Sequence, residues 1–298
     1  MFYSPLRYPG GKGKLSAFMK DIVMCNGLND GTYVEPFAGG ASIALSLLFE
    51  EYVKKIIIND IDYSIYAFWN SVLFSADDLC KLINDTDVTV EEWGRQKKIQ
   101  ACKADVSLLE LGFSTFFLNR TNYSGIIKGG IIGGHHQNSK WKIDVRFNKK
   151  NLIKRIKKIS GYASKIDLYN MDAIELINKI IVYLPKNTLV YFDPPYFKKG
   201  QDLYINFYEP DDHIKLYTAI SSEKKHFWVL TYDNVNEIFD LYKNFKPVEY
   251  KLNYSAGNRV KGKELMFFSE KIFIPECELI NPIDQKDRYM EKYSYDHL

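Results

Sequence analysis

The chain reads as an α/β protein: a doubly wound, Rossmann-like sheet interrupted by an inserted, mainly helical segment. Three observations carry that expectation. Short apolar runs alternate with helical patterns, as in KIIINDID (55–62), IDLYN (166–170), AIELINKIIVYL (173–184), TLVYF (188–192) and HFWVLTY (226–232). A glycine turn within EPFAGGAS (35–42) joins a strand-like run to a helical one. Between about 63 and 150 the rhythm lapses into glycines, polar residues and aromatics, then resumes.

Taken in order, the glycine-rich YPGGKGKL (8–15) leads into a helical pattern that runs to about Asn26. GTYVEPF (31–37) reads as a strand, AGGASIALSLLFEEYV (38–53) as a turn opening a helix, and KIIINDID as a second strand ending in acids. Together they form a β–turn–α–β unit. YSIYAFWNSVLF (63–74) starts the insert as a helix, and MFFSEKIFI (266–274) is expected to close the sheet. The expected division is a discontinuous sheet domain, residues 1–62 and 151–280, around an insert of residues 63–150. A polar tail follows over 281–298, and its last part, DQKDRYMEKYSYDHL, is expected to fray.

Composition narrows the classes. Hydrophobic residues at 46% and charged residues at 26% match a globular protein. No apolar run approaches the ~20 residues a membrane span needs. The first residues lack the apolar core of a signal peptide. Cys25, Cys80, Cys102 and Cys277 form no CxxC pair, which argues against a disulfide frame or zinc site and for a reducing cytoplasm. His135 and His136 are adjacent, without metal-ligand spacing, so no metal is implied. The net charge of +3 identifies no partner.

The chemistry concentrates at two turns. TLVYF is a buried strand that ends in Asp193, Pro194, Pro195 and Tyr196. Prolines cannot extend a ladder, so they stop the strand and stiffen the backbone where open α/β sheets bind ligands. The EPFAGGAS turn lets a ligand approach the backbone, and Asp60 ends the next strand where nucleotide-binding units place an acid for ribose hydroxyls. GxGxxG and GK[ST] are both absent, favouring an adenosine compound other than a dinucleotide or triphosphate. A rigid acid and carbonyl suit the exocyclic amine of a nucleobase. Asp193 and the Pro194 carbonyl could accept its two protons and stabilise the charge developing on attack, while Tyr196 stacks on the base. A base in a duplex must first be flipped out. Plainer readings stand beside these: a tight turn, a capped strand end, a loop of solvated lysines.

In this order, YPGGK, EPFAGG, FFLNRTNYSG (116–125), DPPY and NRVKGKELMFF (258–268) resemble the Dam-like, D12-class DNA adenine-N6 methyltransferases. The likeness covers most of residues 5 to 275 and implies a methyltransferase sheet that uses S-adenosylmethionine. By resemblance, Tyr8, Gly10, Gly11 and Lys12 sit at the methionine end of the cofactor. Glu35, Phe37 and Gly39 line its pocket, Asp60 binds the ribose, and Asp172 lies near its adenine. Asp193 bridges cofactor and target. The family's first turn often carries tryptophan before the glycines, where this chain has Tyr8 and Pro9. Cytosine-N4 methylation poses the same amine problem and stays open, as does a catalytically silent DNA-binding regulator.

The resemblance makes the insert a target-recognition domain for double-stranded DNA. Asn119, Arg120, Asn122 and Tyr123 are side chains able to read base edges or phosphates. KGGIIGGHHQ, with Lys128, His135 and His136, looks like a mobile hairpin able to enter a groove. NKKNLIKRIKKISGYASK (148–165) has no acid and bears Lys154, Arg155 and Lys158; with Arg259 and Lys261 it favours phosphate contact. The expected setting is a monomer or weak dimer working in DNA modification, with a cognate restriction endonuclease as possible partner.

Overall fold

The computed structural model describes residues 3–7, 13–198, 208–253, 261–277 and 280–283. Its helices are α1 (Gly13–Cys25), α2 (Ser42–Phe49), α3 (Tyr63–Phe74), α4 (Ala76–Asp85), α5 (Val90–Ala101), α6 (Leu108–Thr121), α7 (Lys149–Ser160), α8 (Ala173–Lys179), α9 (Pro210–Ser222) and α10 (Asn236–Tyr242). Eight described strands form one sheet: β1 (Thr32–Glu35), β2 (Lys55–Asn59), β3 (Ile166–Tyr169), β4 (Thr188–Phe192), β5 (Phe227–Asp233), β6 (Val248–Asn253), β7 (Lys261–Phe268) and β8 (Ile280–Pro282). Their spatial order is β3-β2-β1-β4-β5-β7-β6-β8. The first five run parallel, and β7 lies antiparallel between β5 and β6.

The chain winds outward from β1 to β2 and β3, then returns to the other side of β1 for β4 and β5. The winding therefore reverses between β1 and β4, and the carboxyl ends of strands at such a reversal are where open α/β sheets bind ligands. Strand residues alternate between two cores. Tyr33, Ile56, Ile58, Leu189, Tyr191 and Val229 pack with α1, α2, α3 and α7. Val34, Ile57, Val190, Phe192, Trp228 and Leu230 pack with α8, α9 and α10. Burial on both faces is why these strands read as unbroken apolar runs.

The insert shares the first of these cores. α6 starts with a capping box between Ser107 and Glu110 and is buried from Leu111 to Thr121. Phe116 stacks on Phe68 of α3 at 6.0 Å between centroids. Gly112 lets the two helices close, since a Cβ there would sit 2.2 Å from Ser71 Oγ and 2.6 Å from the Ala67 carbonyl.

Three boundaries differ from expectation. The closing strand runs over 261–268 rather than 266–274, and β6 was not anticipated. VEYKLN is a short, half-polar alternation whose Val248 and Tyr250 become core residues only when β7 pairs beside it. β8 takes Asn281 and Pro282 from the expected tail into the sheet; residues 284–298 lie outside the described residues. The helical run from Ala173 breaks after Lys179 into a 3-10 turn, Ile181–Tyr183.

Candidate active site

Four acids line the carboxyl edge of the sheet, and each is committed to donors. Glu35 ends β1, where Oε1 accepts from the Ala44 amide at 3.0 Å and the Tyr33 hydroxyl at 3.2 Å. The first of these bonds caps the start of α2 with a negative charge, as the helix dipole favours. Asp193 follows β4, and its Oδ1 accepts from Thr231 Oγ1 at 2.8 Å. Asp233 ends β5 and takes the amides of Phe197 and Lys198 on its two oxygens, both at 2.9 Å. Glu264 of β7, in register with Asp233, accepts from the Tyr196 hydroxyl at 2.5 Å.

These bonds explain how the Asp-Pro-Pro-Tyr segment is held. Pro194 and Pro195 are buried and have no amide proton to satisfy. The two amides after Tyr196 go to Asp233, and the tyrosine itself is tied to Glu264. Asp193 is thereby anchored from its own side chain and from the loop behind it.

The turn after β1 is fixed with equal care. Gly39 has φ +45°, a left-handed conformation that suits glycine. Its N–H donates to Asp60 Oδ2 at 2.9 Å, and its carbonyl accepts from the Trp69 indole at 2.9 Å. Buried Asn59 donates to the carbonyls of Pro36 and Met171, tying the turn to the loop that carries Asp172. Asp172 caps α8 through the Ile174 amide at 2.8 Å. The Phe37 ring meets Tyr208 edge to face at 6.1 Å. Burial, followed by the charge of Asp62, raises the Asp60 carboxyl to about 7. Tyr8, Gly10, Gly11 and Lys12 lie outside the described residues.

Residues 8–256 match the sequence profile of the D12 class N6 adenine-specific DNA methyltransferases. The chain belongs to that family. Among its relatives, Type II methyltransferase M.MjaIII of Methanocaldococcus jannaschii is 25% identical across 64% of this chain and 68% of that protein. Modification methylase StsI of Streptococcus sanguinis is 32% identical across 32% of this chain and 13% of that protein. Among solved structures, a class I S-adenosylmethionine-dependent methyltransferase from Listeria monocytogenes, itself described as tentative, covers 89% of this chain and 62% of that one. It aligns at TM-score 0.39 and 8% identity, too slight a likeness to argue from. The protein is a site-specific adenine DNA methyltransferase that uses S-adenosylmethionine.

The chemistry of the residues at these two turns of the methyltransferase is compatible with that cofactor. A left-handed glycine lets a ligand approach the backbone, and Asp60 keeps lone pairs for hydroxyls beyond its two amide donors. The acids at the strand ends offer negative charge of the kind a cationic sulfonium favours.

The structure corrects the expectation for the DNA-facing side chains. Asn119, Arg120 and Asn122 are 1%, 8% and 0% exposed and hold the protein's own backbone. Asn119 brackets Arg7, accepting from its amide at 2.7 Å and donating to its carbonyl at 2.8 Å. Arg120 Nε donates to the Pro5 carbonyl at 2.7 Å. Burial, then the charges of Arg155, Arg7 and Arg146, lower this guanidinium to about 9. Asn122 donates to Ile126 and Ile127 and accepts from the Trp93 indole. The glycine-rich loop is stapled rather than loose: Gln137 Nε2 bonds the carbonyls of Ile132 and Gly134, and its Oε1 accepts from the Ile143 amide.

Other expected residues do face outward. Tyr123 is 54% exposed, and Lys128, His135, His136 and Lys154 are exposed. His135 packs edge to face on Trp93. Arg155 donates to the Ser4 carbonyl at 3.0 Å, while Lys158 lies over the rings of Tyr3 and Phe49. Lys157 of the same run meets Asp77 of α4 at 3.8 Å, a compensating acid invisible in the local sequence. Lys261 opens β7, and Arg259 lies outside the described residues. Sequence reasoning missed Thr231, Asp233, Glu264 and exposed Trp141. The period-two spacing of Thr231 and Asp233 at the end of HFWVLTYD was the available signal.

Proposed function

We propose that Asp193 and the Pro194 carbonyl hold the N6 amine of a flipped adenine by accepting its two protons, with the Tyr196 ring stacked on the base. Directing both protons to acceptors turns the nitrogen lone pair outward and stabilises the positive charge that develops on it. No strong base is needed, because the proton leaves after the nitrogen has become cationic. The bound cofactor supplies an electrophilic methyl group. Glu35, Phe37, Gly39, Asp60 and Asp172, with Tyr8, Gly10, Gly11 and Lys12, hold it. The observation that carries this reading is the anchoring of Asp193 by Thr231 at the carboxyl end of β4, beside the reversal in strand order.

Residues 63–150 serve as the target-recognition region, presenting Tyr123, Lys128, His135, His136 and exposed Trp141 to DNA, with Lys154 on phosphate. Asn119, Arg120 and Asn122 support that surface from behind. The protein works as a monomer or weak dimer in the cytoplasm, in a modification system with a cognate endonuclease. The names of M.MjaIII and StsI support a modification role.

The deciding experiment digests DNA treated with protein and S-adenosylmethionine to nucleosides. N6-methyladenine is expected, and it should fall on the order of 10²-fold or more with Asp193→Ala. N4-methylcytosine alone would refute the adenine assignment, and undiminished transfer by the variant would refute the role of Asp193.

A further inference from the structure

The β4–β5 ladder sets Tyr191 beside Val229, so the next residues on the same face, Asp193 and Thr231, meet just beyond β4. Thr231 Oγ1 lies 2.8 Å from Asp193 Oδ1 and 2.8 Å from the Tyr191 hydroxyl. Counting protons fixes the direction of this chain. A carboxylate has none to give, so Thr231 donates to Asp193. With its only proton spent, Thr231 must accept from Tyr191. Burial and the Asp193 charge push the Tyr191 phenol well above its ordinary value, so it stays protonated and able to donate. Thr231 is 0% exposed and Tyr191 3%, which leaves little room for water to substitute.

A hydroxyl in this place calls for a reason. The neighbouring β5 residues Trp228, Val229 and Leu230 are apolar and buried. Valine has the shape of threonine and is buried without a hydrogen-bond requirement, so the hydroxyl matters only if its bonds do.

We propose that Thr231 is a positioning residue for methyl transfer: oriented by Tyr191, it fixes the orientation in which the Asp193 carboxylate meets the target amine. This rests on the role assigned to Asp193 above. Thr231 touches neither substrate nor cofactor in this account and acts through the acid.

Two substitutions separate positioning from packing. Thr231→Val keeps the shape and removes the hydroxyl, whereas Thr231→Ser keeps the hydroxyl and removes a methyl group. If the hydrogen-bonded chain matters, Thr231→Val lowers kcat about 10- to 100-fold, the range for a lost bond to a charged group. Calorimetric affinity for S-adenosylhomocysteine and KM for DNA stay at wild-type values, and Thr231→Ser retains most of kcat. Tyr191→Phe, which spares the bond to Asp193, falls between. If only packing matters the order inverts, with valine near wild type and serine worse; that result overturns the proposal while leaving the site's function intact. A wild-type protein that binds S-adenosylhomocysteine but methylates no DNA overturns both.

Discussion

Asp233→Asn tests whether the clamp behind the Asp-Pro-Pro-Tyr segment governs turnover. The carboxylate accepts Phe197 N–H on one oxygen and Lys198 N–H on the other. Asparagine offers one carbonyl oxygen and sets its NH₂ against the second amide, so one bond becomes neutral and the other becomes a donor–donor clash. A bond to a charged acceptor contributes about 1.5–3 kcal/mol, and an unsatisfied buried amide costs about 1–3 kcal/mol. Both backbone groups are partly exposed, so water relieves some of this, and a stability loss of about 2–3 kcal/mol is expected. The loop should also shift, and displacement of a reacting group by about 1 Å costs on the order of 10²-fold in rate. The assay pairs kcat for methyl transfer at saturating cofactor with urea melts and calorimetry of S-adenosylhomocysteine binding. Lost stability with wild-type kcat would show that the clamp holds the fold and not the chemistry.

Gly112→Ala should destabilise the protein by about 1–3 kcal/mol or more, read from urea melts, because its Cβ would strike the Ala67 carbonyl and force α3 and α6 apart. Wild-type stability there would refute the close approach. Asp60, raised to about 7, holds a proton in the folded state that the unfolded chain has already lost, so its contribution to stability declines as pH rises from about 4 to about 7. Asp60→Asn should flatten that decline, which amounts to at most about 4 kcal/mol for a shift of this size; an unchanged pH slope in melts would assign the decline to other groups. Lys128→Ala and Lys154→Ala should each lower the slope of log DNA affinity against log salt by about 0.9. They should act equally on all sequences, and an unchanged slope would remove the residue from the phosphate contacts.

Alternating strands and helices were legible in the sequence because parallel strands buried on both faces must be apolar throughout, as TLVYF is. The two turns were legible as well, since glycine and proline act on the backbone wherever they occur: Gly39 adopts its positive φ, and Pro194 and Pro195 end β4. The tertiary structure decided which polar side chains face outward. Asn119, Arg120 and Asn122 sit in a stretch that reads as a recognition motif, yet their donors meet carbonyls of the protein's own backbone, some of them in the N-terminal segment. The spacing of Thr231 and Asp233 shows only that they share a face, and Glu264 carries no local mark, because the partners of all three come from another strand or from the loop after β4. Residue type and period fix how a segment folds and which face it buries. A hydrogen-bonding side chain looks the same in sequence whether it will meet a phosphate or a distant carbonyl, and only the packing of remote segments chooses between them.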